Sequence, residues 1–231
     1  GKKLQRLPPY DLVIAADDTA LQFVEANQAS LFPGLPVVFF GINDVAYALK
    51  FDRNPRVTGV IEEVSITDTV KVMRQLFGAD HTIALISDST ESGLANQAQF
   101  QREMMLLGFD QYRLLSLADY SYDELADELR RLPPGGMVLP MAIFRDRTGA
   151  TRDFDSAFGL IRASTSAPIF HFWYHGLGKG VLGGKLVSHR KQAVIAAEMA
   201  LRILHGEAPE RIPVRQDSGN EFVFDYREMQ R

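Results

Sequence analysis

The sequence predicts an α/β fold with parallel sheets flanked by helices, and three observations carry that prediction. Two short runs, 12–16 and 37–40, are apolar throughout, as a parallel strand covered on both faces must be. Between them, residues 18–31 place Leu21, Val24 and Leu31 on one helical face, which makes a strand–helix–strand unit. Strand-like and helix-like stretches then alternate to the end of the chain, the pattern of βα units. Both of the first strands run into polar side chains, Asp17 and Asp18 after one, Asn43 and Asp44 after the other. Ligands in open α/β sheets bind outside the carboxyl ends of the strands. That edge is the expected site.

The bulk numbers bound the rest. A chain of 231 residues is long enough for a large core or for two lobes of roughly 100 residues each. The charge of −4, with no basic cluster, argues against nucleic acid as a partner. The absence of cysteine excludes disulfides and thiolate metal sites without fixing a compartment. No run approaches the ~20 apolar residues of a membrane-spanning helix, and no signal peptide is present. The opening Gly1-Lys2-Lys3 reads as the tail of a helix leading into the first strand.

Taken in order, a polar, proline-containing loop follows Asn43 and runs to Arg56, and residues 57–63 read as a short strand. Ile66, Val70, Met73 and Phe77 then recur at helical spacing, with Gly78 as the stop. Residues 82–88 form another buried-type strand. A helix opens at 89–91, runs to about Leu107 and is closed by Gly108. Residues 112–117 are a strand. Ser121 with Glu124 three residues on is a capping-box signature, and Leu125, Leu129 and Leu132 form that helix's apolar face. Residues 136–144 form a strand running into a loop. Phe154, Phe158 and Ile161 mark a helix, and 167–173 the next strand. A glycine-rich stretch, 176–184, leads to a short strand at 185–188. The helix at 190–205 is expected to face Val194, Ala197, Leu201 and Leu204 inward, with Gly206 after it. Pro209 and Pro213 interrupt the chain before a last strand-like segment, 221–226. A division between two lobes is expected near Ile61 to Ile66.

The stretches AADDTA (15–20), LPVVFFGIND (35–44), VTGV (57–60), TIALISDST (82–90), GMVLP (136–140), APIFHF (167–172) and GKLVSHRKQAVIAAEMALRILHGEAPERIPV (184–214) carry a resemblance. In this order they resemble the type I periplasmic-binding-protein fold. They are most similar to the branch of ABC-transporter solute-binding proteins whose characterised members bind amino acids. The likeness spans nearly the whole chain, and ILHGEAPERIPV (203–214) is its most specific part. The ending EFVFDYREMQR (221–231) is closer to a sub-branch found as extracytoplasmic sensor domains of membrane histidine kinases. Such a family implies two lobes closing on a ligand like a hinged clamp. Residues 1–62 and 184–206 would form the first lobe, and 63–183 with 207–231 the second. Family members begin with a strand, a helix and a second strand that have no counterpart here, so the first lobe's sheet is expected to lack its first strand.

The strand ends supply the candidate ligand-binding residues. Asp17, Asp18 and Thr19 suit a ligand ammonium or hydroxyls, or a helix cap. Asn43 and Asp44 line the matching loop of the family or form an Asx-turn. Ser87, Asp88 and Ser89, with Thr90, lie at a strand end and helix start, where free N–H groups favour an anion. Phe144 and Arg145 follow a strand; the guanidinium could fork onto a carboxylate or pair with Asp146. Trp173, Tyr174 and His175 are expected as an aromatic wall, with Phe170 and Phe172 packing inside. His171 and His175 lack the helix and intervening Glu of a zinc motif, so no metal is expected. The G-x-G-x-x-G letters at 178–183 run into a strand rather than a helix, so no nucleotide cofactor is expected either. Ser188 and His189, before the long helix, reach the site or cap it.

No nucleophile, base and orienting group fall together, and no spacing selects a pair of carboxylates. Together with the resemblance, this makes the expected function a non-enzymatic, two-lobed receptor for a small polar ligand such as an amino acid. By the resemblance it is the extracytoplasmic sensing part of a membrane signalling protein, tethered through flanking segments, with a homodimer one arrangement open to it. The tail turns charged and amphipathic without a stop signal, so the chain is expected to continue past Arg231. The alternatives are a transport subunit, an α/β hydrolase, and a repressor effector domain that would need an upstream DNA-binding segment.

Overall fold

A computed structural model describes residues 10–78 and 80–231; the expected helical tail at residues 1–3 lies outside them. In chain order the first elements are β1 Val13–Ala16, α1 Asp18–Leu31, β2 Val37–Ile42, α2 Val45–Leu49, β3 Val57–Ile61 and α3 Ile66–Phe77. There follow β4 Ile83–Ser87, α4 Glu91–Leu107, β5 Tyr112–Ser116, α5 Tyr122–Arg130, β6 Met137–Pro140 and α6 Phe154–Ser164. The last are β7 Gly183–Leu186, α7 His189–Leu204, β8 Glu221–Phe224 and α8 Tyr226–Met229. The chain divides into two compact units. One is built from the chain up to Val64 with Val187–Asn220, the other from Ser65–Leu186 with Glu221–Arg231.

Unit 1 is a parallel sheet in the order β1-β2-β3. On one face α1 and α2 pack Leu21, Val24 and Ala48 against Ala15, Val37, Phe39 and Ile61. On the other, α7 lays Ile195, Ala196, Met199 and Ala200 over Val38 and Val60. Each fully buried Val, Leu, Ile, Phe or Met side chain contributes about 1.5–3 kcal/mol. Residues 207–220 sit in this unit, not with the second lobe where the resemblance put them. Backbone bonding holds them there: Arg215 N–H donates to Gly59 O at 2.8 Å and Ile61 N–H to Arg215 O at 2.9 Å. Thr58 Oγ1 adds a buried bond to Ile212 O at 2.7 Å.

The α7 stripe expected inward is in fact outward. Val194, Leu201 and Leu204 are 50, 53 and 53% exposed, and Ala197 is exposed too. The buried stripe is Gln192, Ile195, Ala196, Met199 and Ala200. The two stripes have nearly the same spacing, and small alanines allow the helix to seat close to the sheet on that side.

Unit 2 has a parallel sheet in the order β5-β4-β6, and β7 pairs antiparallel with β8. The strand expected at 167–173 shrinks to two bridges, Val138 with Ile169 and Phe170 with Gly183, which join β6 to β7. Pro168 lacks an N–H to extend the ladder, and from residue 171 the chain turns away toward a 3₁₀ turn at Tyr174–Gly176. β6 ends at Pro140, short of the residue 144 expected; Met141 N–H still donates to Ile86 O of β4 at 2.8 Å, and residues 141–143 stay buried. α3 buries Ile66, Val70 and Met73, while Phe77 meets Phe170 edge-on at 5.9 Å. The capping box of α5 is formed by Ser121 and Glu124.

Candidate functional site

In unit 1 the carboxyl ends of β1 and β2 bring Asp17, Asp18, Thr19, Asn43 and Asp44 together. Asp17 leaves β1 at φ 85°, a costly conformation for a residue with a Cβ, and caps α1 by accepting from Thr19 N–H at 3.2 Å. Asp18 accepts from the backbone N–H of Asn43 at 3.1 Å and of Asp44 at 3.2 Å, tying the loop after β2 to the start of α1. Asp44 caps α2 through Tyr47 N–H at 2.9 Å. One oxygen each of Asp17 and Asp44 carries no hydrogen bond among the described residues. The cluster is acidic and, apart from half-buried Asp18, exposed, which suits an ammonium or hydroxyl-rich group.

A second layer in unit 1 was only partly legible in the sequence. Gly41 takes φ 69° at a register shift in β2, and its N–H donates to Gln192 Oε1 at 3.0 Å. That bond fixes the amide's orientation and leaves Gln192 Nε2, fully buried, with no hydrogen bond among the described residues. Such a group needs an acceptor that the described residues do not supply. Beside it, Glu62 is buried and receives His189 Nε2 at 3.2 Å. The Glu62 hydrogen bond raises the His189 pKa against the burial that lowers it. Ser188 caps α7 through Lys191 N–H at 3.3 Å. Nothing in sequence spacing joins residues 41, 62 and 192, so Glu62 and Gln192 are not legible as site residues in the sequence. The one available signal was a polar Gln on the buried stripe of an otherwise apolar helix face.

In unit 2 the same strategy gathers Ser87, Asp88, Ser89, Phe144 and Arg145 at the ends of β4 and β6. Asp88 is fully buried. One oxygen accepts from Phe144 N–H at 2.7 Å and Arg145 N–H at 3.3 Å. The other takes Thr90 N–H at 3.0 Å and Thr90 Oγ1 at 2.5 Å. Gly93 is required over it, because a Cβ there would lie 2.3 Å from Asp88 Oδ1. Ser87 is buried as well, donating to Gly93 O at 3.0 Å. Asp88 and Ser87 therefore hold the loops, and the exposed groups at this edge are Ser89, Phe144 and Arg145. Arg145 makes no ion pair with Asp146. That carboxylate is buried and accepts instead from Tyr122 N–H, Thr148 and Ala150 N–H.

Trp173 and His175 belong to an aromatic group with Phe154 and His171, whereas Tyr174 is exposed and takes no part in its ring contacts. Phe154 stacks on His171 at 5.4 Å and meets His175 edge-on at 4.2 Å; Trp173 stacks on His175 at 6.2 Å. His171 Nδ1 lies 3.0 Å from Pro140 O and so carries the proton, which makes Nε2 the acceptor toward His175 Nε2 at 3.2 Å. Burial, then the neighbouring His175, holds the His171 pKa down to about 3, and the imidazole stays neutral. The His pair is thus a hydrogen-bonded support for the aromatic wall. Among the described residues no group of three or more His, Cys, Asp or Glu could hold a metal, and no helix is long and apolar enough to cross a membrane.

No family profile and no curated protein matches the sequence. Solved structures do. The ABC domain from Streptococcus pneumonia, in complex with L-Trp, superposes with a TM-score of 0.67 at 19% identity, over 99% of this chain and 76% of that one. A ligand-free, open substrate-binding protein with adhesive properties from Clostridium difficile gives 0.72 at 17% identity, over 95% and 72%. A conserved domain protein from Vibrio cholerae gives 0.66 at 15%, over 99% and 75%. At these identities the likeness is one of fold. The chain has the α/β architecture of substrate-binding proteins, with parallel sheets flanked by helices.

Proposed function

We propose that this chain is a non-enzymatic receptor for a small polar ligand, an amino acid or a molecule of similar size, serving as the extracytoplasmic sensing part of a membrane signalling protein. The observation that carries the binding role is the pair of strand-end clusters. In each unit the carboxyl edge presents polar groups held in place by hydrogen bonds from neighbouring loops: exposed Asp17 and Asp44 beside half-buried Asp18 in one, exposed Ser89 and Arg145 beside Phe144 in the other. The acidic edge suits an ammonium or hydroxyls, and Arg145 suits a carboxylate. The fold supports the reading, as does the L-Trp held by one structural neighbour. The sensing role rests on the similarity of residues 221–231 to histidine-kinase sensor domains. The transport alternative draws support from the neighbour described as a substrate-binding protein. The genes that flank this one distinguish the two: a kinase in the same reading frame, or a transporter permease beside it.

The test is a thermal-shift screen of amino acids, sugars and small carboxylates. A ligand bound only by the native state at roughly 100 times its Kd should raise Tm by about 5–10 °C. If no member of the screen raises Tm, the receptor reading fails.

A further inference from the structure

Residues 144–152, between β6 and α6, are tied down more firmly than a surface connection needs. They form a hairpin closed by an antiparallel bridge between Arg145 and Thr151, in which Arg152 N–H donates to Phe144 O and Asp146 N–H to Ala150 O, both at 3.0 Å. Its base rests on buried Asp88, which accepts from the N–H groups of Phe144 and Arg145. Its far end is clamped to the start of α5. Buried Asp146 accepts from Tyr122 N–H at 3.0 Å with one oxygen and from Thr148 and Ala150 with the other. Arg147 forks onto Glu124, Nε–H donating to Oε2 at 2.7 Å and Nη2–H to Oε1 at 2.6 Å. Arg152 lies over the Tyr122 ring, 4.7 Å from its centroid. The hairpin thus carries three arginines, and two of them have partners in α5. The other, Arg145, is exposed and its side chain has no partner among the described residues.

Stability alone does not account for the fork. Arg147 and Glu124 are both about half exposed, and a pair in that setting adds little to folding. What the fork does is set direction, because a planar guanidinium meeting a carboxylate through two bonds fixes angle as well as distance. Glu124 Oε2 also accepts from Ser121 N–H at 2.7 Å in the capping box, so the fork is anchored to the frame of α5. We propose that Glu124 and Arg147 are positioning residues, which hold the hairpin so that Arg145, beside Ser89 and Phe144, takes the carboxylate of an amino-acid ligand. This rests on the receptor reading above and deepens it, by assigning the carboxylate end of the ligand to unit 2. A backbone held in place beforehand loses less freedom on binding, so the fork sets the affinity for that carboxylate without touching it.

Calorimetric titration with L-amino acids and their carboxamides at about pH 6.5 tests it. The carboxamide keeps the side chain and the charged ammonium and lacks the carboxylate. The wild-type chain should bind an amino acid at least ~10-fold more tightly than its carboxamide, and Arg145→Ala should abolish that preference. Glu124→Gln keeps a side chain that serves the capping box, and Arg147→Lys keeps the charge without the fork. Each should weaken binding of the amino acid by about 3–10-fold and leave the carboxamide unchanged. Neither should have a further effect when added to Arg145→Ala. A hairpin that serves only the fold would lose both probes equally in these variants, and that result overturns the proposal. So does an amino acid bound no better than its carboxamide, or a preference that both variants leave untouched. Binding of sugars alone would leave the receptor reading standing and sink this one; binding of nothing sinks both.

Discussion

Asp18 and Asp88 both follow a strand, yet their surroundings give them different work. Asp88 is sealed and accepts from two main-chain N–H groups 56 and 57 residues away. Asp88→Ala would bury those donors unpaired and should lower stability by about 3 kcal/mol in urea titration. Asp18→Ala frees an exposed loop and should cost only about 1 kcal/mol, while weakening ligand binding. Equal losses of stability would contradict this division. The sequence shows an acidic residue at each strand end, but the partners that separate frame from site come from distant loops. His171 supplies a pH signature. Its folded pKa is held near 3 by burial, whereas the unfolded imidazole keeps about 6.5. Stability is full above about pH 6.5 and falls toward pH 3, by at most ~1.4 kcal/mol per pH unit, as the unfolded chain takes a proton the folded one refuses. His189, raised by Glu62, runs the other way: its contribution is present below about pH 6.5 and is lost as pH rises through its raised value. His171→Gln should flatten the acid limb between about pH 6.5 and 4.5, before the carboxylates titrate. An unchanged slope would show that His171 is not its source.

At the scale of elements, α3 and α7 show when periodicity suffices. In α3 the longest apolar stripe is the inward one, and Ile66, Val70 and Met73 are buried as their spacing predicts, while Leu76 off that stripe is exposed. In α7 two stripes compete, and the larger aliphatics lie on the one facing out. Sequence cannot choose between them, because the sheet face that accepts Ala196 and Ala200 is set by strands more than 130 residues earlier. Met199→Ala should therefore cost about 2–4 kcal/mol. Leu201→Ala should stay within roughly 0.5 kcal/mol. The opposite ranking would restore the inward stripe. The segment at 167–173 failed as a strand for a different reason. Its apolar run is real, but the burial it predicts comes from Phe170, His171 and Phe172 packing into unit 2, with only two residues paired.

For the whole molecule, α/β alternation was legible because every unit repeats it. The division of the late chain was not, since residues 207–220 join unit 1 through single bridges and side-chain bonds that leave no periodic trace. The central claim is that the strand-end clusters bind the ligand. Trp173→Ala should raise Kd about 10-fold or more with little loss of fold, since Trp173 is only partly buried. The most direct measurement is backbone amide NMR of the chain titrated with the strongest binder from the thermal-shift screen. The account predicts saturable shifts concentrated at residues 17–19, 43–44, 89–90, 144–145 and 173–175. Saturable shifts confined to other surfaces, such as the α5 and α6 residues Asp127, Arg130 and Leu160, would contradict it.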